Sequence, residues 1–176
     1  MNEAERIKKV YEKRRSKQKY KLYSFFNKGN LYIVQQRERA LLDLLRKFNF
    51  VKLSDKKILD VGCGTGGILR SFIEYGARPK NLYGVDILQD RIEIAQDINS
   101  NINYELGNAS NLPYEDNYFD IVLQFTVFTS ILSEEIKKDI AKEMIRVLKK
   151  EGIIIWYDFF YNNPKNPDVK GIKKKR

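Results

Sequence analysis

The chain has no histidine and a single cysteine, Cys63, among its 176 residues. Without imidazole, the commonest general base, pH switch and metal ligand are all excluded. A lone thiol rules out an internal disulfide framework and fits a reducing compartment. Together the two shortages leave no ordinary ligand set for zinc, and no metal site is expected. No apolar run approaches the roughly 20 residues that a membrane span requires, and the N-terminus is charged rather than signal-like. The expectation is a cytoplasmic protein without a membrane span.

What is present suits one globular domain: 43% apolar residues, of which the aromatics make up 12% of the chain. The net charge of +10 is uneven. Residues 1–21 carry nine basic and three acidic side chains (+6), residues 165–176 carry six and one (+5), and the remainder is therefore −1. Basic arms can hold RNA phosphates or an anionic surface. They can equally be a solvated lead helix and a frayed tail, which is the reading favoured here.

The body is organised around Lys57–Gly67, KILDVGCGTGG. Ile58, Leu59 and Val61 form a strand-like apolar run, and Gly62, Gly64, Gly66 and Gly67 follow. Strand, glycine turn and helix open a βαβ unit that holds a nucleotide-like ligand at the turn. Asp86 closes the next apolar run, Leu82–Val85, 20 residues after Gly66, where an acid grips a ribose diol. The glycines alone satisfy a dinucleotide fingerprint as well, so an NAD-binding oxidoreductase stays open on this motif. Asp60 bears on the choice, because a carboxylate there repels a pyrophosphate and suits a cationic ligand. S-adenosylmethionine brings both an ammonium and a sulfonium.

Along the rest of the chain, residues 1–21 read as a charged helix, and Tyr20, Tyr23, Phe25 and Phe26 cluster before a Lys28-Gly29-Asn30 turn. This cluster serves either as a lid over a ligand or as a plug on the core. A helix is expected over Leu31–Phe48, with Val34, Leu41, Leu45 and Phe48 along one side. After the glycine turn, Ile68, Leu69, Phe72 and Ile73 recur at helical spacing until Gly76 and Pro79. Leu82–Asp86 reads as the second strand and Asp90–Asn99 as a helix with Ile94 and Ile98 one turn apart. Ile102, Tyr104 and Leu106 alternate as a third strand. Phe119–Phe125 reads as a fourth strand buried on both faces. Ser133 caps a helix striped by Ile136, Ile140, Met144 and Val147, with Lys149 and Lys150 at its end and Gly152 stopping it. Ile153–Phe159 completes five strands of an open parallel α/β sheet with right-handed crossovers.

ILDVGCGTGG, YGVD, GNASNLPYEDNYFDIV and MIRVLKKEGIIIWYDF together resemble the class I S-adenosylmethionine-dependent methyltransferases, over roughly Ile58 to Phe159. Spacing and aromatic-rich flanks are similar to small bacterial members of sugar and surface-glycan pathways. The resemblance implies a Rossmann-like, doubly wound, mostly parallel sheet that here lacks the last two strands of the family's seven. It implies Asp60, Gly62, Gly64 and Gly66 around the methionine portion of the cofactor, Asp86 on the ribose hydroxyls and Ile87 on the adenine. Asn108 falls where the family often has an aspartate reading the adenine amino group, and Ala109 lines the same pocket. Gln124 ends strand four, where the family contacts the methionine end or the substrate. Cys63 lies inside the motif, as a cofactor neighbour or more simply a small packing residue. The implied organisation is a basic helix and aromatic lid segment over 1–30, a cofactor-binding core over 31–161 and a basic tail over 162–176.

The implied activity is methyl transfer to a small-molecule or glycan-type acceptor. Alternatives are RNA methylation, favoured by basic ends and aromatics that stack on bases, an NAD-binding oxidoreductase domain and a truncated cofactor-binding remnant without turnover. Methyl transfer from a sulfonium is an in-line displacement that needs alignment and dryness more than a base. For a poor nucleophile the candidate bases are Asp158 and Tyr157 at the end of strand five and Tyr32 near the lid. Gln124-Phe125-Thr126-Val127 stands where amino-methylating relatives carry an Asn/Asp-Pro-Pro-aromatic sequence, which disfavours that route. A fifth strand left at the edge is an apolar liability, so self-association through it, or its covering by the N-terminal segment, is expected.

Overall fold

The computed structural model describes residues 2–15 and 20–173. Residues 16–19 of the expected lead helix and the last three residues of the basic tail lie outside the described residues. The chain divides into two compact units, Glu5–Val51 and the remainder of the described chain from Lys52 onward together with the first few residues.

The first unit is helical: α1 (Glu3–Arg15), most of which belongs to it, α2 (Tyr20–Tyr23) and α3 (Lys28–Lys47). Helix α3 starts three residues earlier than expected. The side chain of Asn27 accepts from the backbone N–H of Gly29 (3.0 Å) and Asn30 (3.4 Å), which makes the supposed Lys28-Gly29-Asn30 turn the helix's first turn. Leu41 and Leu45 are buried, whereas Phe48 is exposed. Tyr23, Phe25 and Phe26 are exposed too, Phe26 completely, so these three rings do not plug a core. The side chain of Tyr20 lies outside the described residues.

The second unit carries a five-stranded sheet of order β3-β2-β1-β4-β5. Its strands are β1 (Ile58–Val61), β2 (Leu82–Asp86), β3 (Asn103–Leu106), β4 (Phe119–Phe125) and β5 (Leu148–Tyr157). All four pairings are parallel, with Val61 opposite Val85 on one side and Gln124 on the other. The crossovers run through α4 (Gly67–Glu74), α5 (Gln89–Ile98) and α6 (Glu134–Val147). This is the Rossmann-like arrangement, and the strand order reverses between β1 and β4. The carboxyl ends of those two strands therefore diverge into a crevice, the usual ligand position in such sheets. Strands β1, β2 and β4 are buried along almost their whole length because both faces are covered.

Three elements differ from the sequence reading. Helix α6 ends at Val147, and Lys149, Lys150 and Gly152 already belong to β5. The strand begins early because Lys149 Nζ reaches Asp120 Oδ2 on β4 (2.9 Å), while the same oxygen accepts from Lys57 N at the entrance to β1 (2.8 Å). Gly152 sits at the register shift between Phe119 and Ile121, where a β-carbon would come within 2.9 Å of the Asp120 carbonyl oxygen. In α5 the inner face is Ile92 and Ala95, not Ile94 and Ile98, because Leu88 just before the helix sets the buried stripe. Leu106 is exposed, as β3 is an edge strand whose pairing runs only to β2 among the described residues.

Arg146, near the end of α6, holds the long loop between β3 and β4. Its guanidinium makes two 2.7 Å bonds to Glu143 and one of 2.8 Å to Asp116, and it donates to the carbonyls of Tyr114 (2.7 Å) and Leu112 (2.9 Å). Glu143 Oε2 also accepts from Leu112 N (2.7 Å). A bidentate fork with two carbonyls behind it fixes a loop far better than a single surface ion pair, whose contribution is small. Replacement by methionine keeps the stem and removes the fork. Urea denaturation of Arg146→Met is expected to show a loss of about 1–3 kcal/mol, with little recovery at high salt. A loss below about 0.5 kcal/mol contradicts the clamp.

Candidate functional site

The site grows from the end of β1. Asp60 is 2% exposed, and the chain then turns through Gly62, Gly64 and Gly66, all at positive φ (72°, 53° and 74°). Gly62 N and Cys63 N both donate to the Val85 carbonyl of β2 (2.8 and 3.0 Å), which folds the turn over the sheet edge. A β-carbon on Gly64 would meet open space, so this position is bare backbone toward solvent or ligand. Gly66 is glycine for a different reason, since its missing β-carbon makes room for the hydroxyl of Tyr104 from β3. The ring of Tyr104 also lies on Gly84 of β2, against Cys63.

Asp86 closes the turn from the β2 side. Its Oδ2 accepts from Gly64 N (2.8 Å) and its Oδ1 from Leu88 N (2.9 Å). Bonds from backbone N–H groups to a carboxylate are worth on the order of 1.5–3 kcal/mol each. Desolvation nevertheless prevails and pushes the carboxyl above its ordinary value, with the bonds from Leu88 and Gly64 and the charge of Arg91 only partly opposing it. Burial, reinforced by the charges of Asp60 and Asp86, pushes the Cys63 thiol far up. That thiol is no nucleophile at neutral pH; it is a small packing atom beside Gly84.

Beyond β2, Ile87 is half-buried. Asn108 is exposed, and its side-chain oxygen accepts from Ser110 N (3.0 Å), closing an Asx turn ahead of the half-buried Ala109. The amide oxygen implied to read an adenine amino group is thus also a turn lock, with one lone pair still to offer.

On the other side of the crevice, Gln124 lies one residue before the end of β4, fully buried. Thr126 follows at φ 61°, a strained conformation for a β-branched residue. This bend lays Val127 on Gly62, where a β-carbon would collide with Val127 Cγ2. It also brings buried Thr129 to Asp158, just past β5. Asp158 Oδ1 accepts from Thr129 N (3.1 Å) and Thr129 Oγ1 (2.7 Å), and Oδ2 accepts from Gln124 Nε2 (3.1 Å) and Trp156 Nε1 (2.7 Å). A carboxylate has about four acceptor sites. With four donors engaged, Asp158 has none left for a nucleophile's proton, which tells against its reading as a general base. Tyr157 stacks on Phe125 with centroids 5.8 Å apart. Tyr32 lies in the helical unit on α3, with its side chain exposed.

The sequence reading missed Val127, Thr129, Trp156 and Tyr104. Tyr104 had been read only as strand alternation, and no spacing rule connects Thr129 or Trp156 to Asp158. The strained Thr126 had no signal in the sequence. Among the described residues, no cluster of side chains suits a metal ion, and no helix is long and apolar enough to cross a membrane.

Raised carboxyls make a folded state less stable when ionised. The Asp86 contribution is therefore fully present below the unfolded-state value and lost as pH rises through the folded-state midpoint. A carbon-detected NMR titration is expected to place the Asp86 midpoint above the ordinary 3.8; a midpoint at or below that value means the two backbone bonds outweigh burial.

Comparison with known proteins adds the following. Residues 59–156 match the family described as "Methyltransferase domain". The chain is 32% identical over 120 residues to phthiotriol/phenolphthiotriol dimycocerosates methyltransferase 1 of Mycobacterium ulcerans, covering 67% of this chain and 43% of that protein. It is 27% identical to the ubiquinone/menaquinone biosynthesis C-methyltransferase UbiE of Ectopseudomonas mendocina, covering 85% of this chain and 56% of that protein. Among solved structures it is similar to the PH0226 protein of Pyrococcus horikoshii OT3, with a TM-score of 0.62, 29% identity and coverage of 77% and 57% of the two chains. The chain spans about half the length of the curated relatives it matches.

Proposed function

Since this chain belongs to the class I S-adenosylmethionine-dependent methyltransferase family, we propose that it binds that cofactor at the switch point and transfers its methyl group to a small-molecule or glycan-type acceptor. The carrying observation is the pair of buried carboxylates, Asp60 and Asp86, flanking a glycine turn whose Gly64 faces open space. Two acidic side chains in a buried turn disfavour a pyrophosphate and favour a ligand with positive charge at one end. The residues present therefore fit the cofactor better than they fit a dinucleotide.

Asp86 takes the ribose hydroxyls, and Ile87, Asn108 and Ala109 take the adenine from the β3 side. Asp60 attracts the ammonium, while Gly62, Gly64 and Gly66 let the methionine portion lie against backbone. Cys63 keeps Gly84 and Tyr104 packed beneath the turn. When bound, the cofactor supplies a methyl group on a positively charged sulfur, a leaving group that needs no activation. The chain's work is to align the acceptor in line with that bond and to exclude water. The bound cofactor would supply an electrophilic methyl carbon, held by Asp60, Asp86 and the glycine turn, and the neutral thioether left behind would need no proton.

The body between the basic ends has a net charge of −1 and offers RNA phosphates little attraction, so a small acceptor is the preferred reading. The edge strand β5 exposes Ile154 and Trp156 and is the surface through which two copies of the chain would associate.

Isothermal titration with S-adenosylhomocysteine and, separately, NAD tests the cofactor reading. Uptake of the former and not the latter is expected, and the reverse overturns it. Asp86→Ala is expected to weaken S-adenosylhomocysteine by about 10–100-fold, from two lost hydrogen bonds to a charged group. Because the ionised carboxylate is the binding form, affinity of the unaltered chain is expected to fall as pH drops through the raised Asp86 midpoint, with proton release on binding. The alanine variant should lose that pH dependence, and its persistence removes Asp86 from the ribose site.

A further inference from the structure

The helical unit presents apolar side chains that its own core does not use. Leu22, Tyr23, Phe25 and Phe26 are all exposed, Tyr23 by 75%, Phe25 by 65% and Phe26 by 100%. Tyr32 and Ile33, near the start of α3, are exposed as well. One exposed ring is ordinary on a protein surface, but four large apolar side chains within five residues are not.

The turn that carries them is closed by its own side chains. Asn30 Nδ2 donates to the carbonyls of Tyr23 (2.9 Å) and Ser24 (3.3 Å), and Asn27 Nδ2 donates to that of Leu22 (3.4 Å). Asn27 N donates to the Ser24 carbonyl (3.0 Å), and Ser24 Oγ accepts from Phe26 N (3.1 Å). Two asparagines and a serine thus satisfy backbone groups that would otherwise depend on water. Such a turn enters an apolar medium at small cost, because the heavy penalty there falls on unbonded backbone groups. The same bonds fix the rings outward before a partner arrives, which lowers the ordering cost of binding.

Charge selects the partner. Between Glu12 and Glu38 the sequence carries eight basic side chains and no acidic one, and Lys21 and Lys28 bracket the apolar run. Cations gathered about exposed aromatics match the boundary of an anionic bilayer, where lipid phosphates adjoin acyl chains. Lysine is depleted from protein–protein interfaces. A stacking platform for RNA bases needs flat rings, which Leu22 and Ile33 do not supply.

We propose that the Leu22–Phe26 turn is a docking tip for an anionic lipid surface. Tyr23, Phe25 and Phe26 enter the head-group boundary, and the basic run on either side contacts lipid phosphates. The aromatic rings supply apolar burial, and the cations supply the preference for anionic lipid. This surface stands independently of the cofactor site, since every residue in it belongs to the helical unit.

Co-sedimentation of the full chain with vesicles tests the proposal. Binding to vesicles of mixed phosphatidylglycerol and phosphatidylcholine is expected to be about tenfold or more tighter than to phosphatidylcholine alone, and to weaken at high salt. Phe25→Ser combined with Phe26→Ser should lower binding to the anionic vesicles about tenfold or more, with the circular dichroism spectrum unchanged. Phe26→Trp supplies a second readout, which decides the matter if the serine variant does not fold. Its added emission should shift to the blue on anionic vesicles, measured against the unaltered chain, whose one tryptophan is Trp156. Absence of binding to anionic vesicles, equal binding to both vesicle types, a folded serine variant that binds as well as the unaltered chain, or no blue shift each overturns the proposal. So does tighter binding of oligouridine that the serine variant loses, which marks the tip as an RNA site.

Discussion

Two carboxylates withdrawn from water around a turn without side chains are the constraint on which this molecule depends. Asp60 and Asp86 end neighbouring parallel strands, and the turn between them is tied to β2 by the Val85 carbonyl. Asp86 spends both oxygens on backbone N–H groups and is still raised by burial. That imbalance is one that a ligand rich in donors and positive charge would relieve. A purely structural turn would not need it, because one carboxylate with two backbone bonds at a solvated edge holds a loop without desolvation.

The strands, helices and glycine turn were legible because each carries a local signal. Period-two and continuous apolar runs marked β1, β2 and β4, and Ser133 with Glu134 and Glu135 marked the start of α6. The end of α6 was misread because Lys149, Lys150 and Gly152 look like a helix terminus, while the deciding contact, Lys149 with Asp120, spans 29 residues. Ile94 and Ile98 misled for a related reason. Periodicity shows that a stripe exists, but Leu88 outside the helix decided which stripe faced inward.

At the site the same division holds. Asp60, the glycines and Asp86 follow a fixed spacing along contiguous chain, so sequence alone could find them. Gln124, Thr129, Trp156 and Asp158 meet only after β4 and β5 have paired and Thr126 has taken its strained turn. Asp158 had been weighed as a base on the strength of its place at a strand end. Its four donors show why place is insufficient: a carboxylate's role depends on how many of its lone pairs remain.

The two sides of the crevice are held by separate devices. On the β3 side, Arg146 and Glu143 fix the loop that follows Asn108 and Ala109, through contacts made on α6. On the β5 side, Asp158 fixes Gln124 and the bend at Thr126, through contacts that involve neither Arg146 nor the loop. Strand β4, buried along almost its whole length, lies between them. Because the two sets of contacts share no residue, substitutions at Gln124 are expected to leave the Arg146 clamp in place. On the β5 side the device is an amide one residue before the end of β4, whose nitrogen is committed to Asp158.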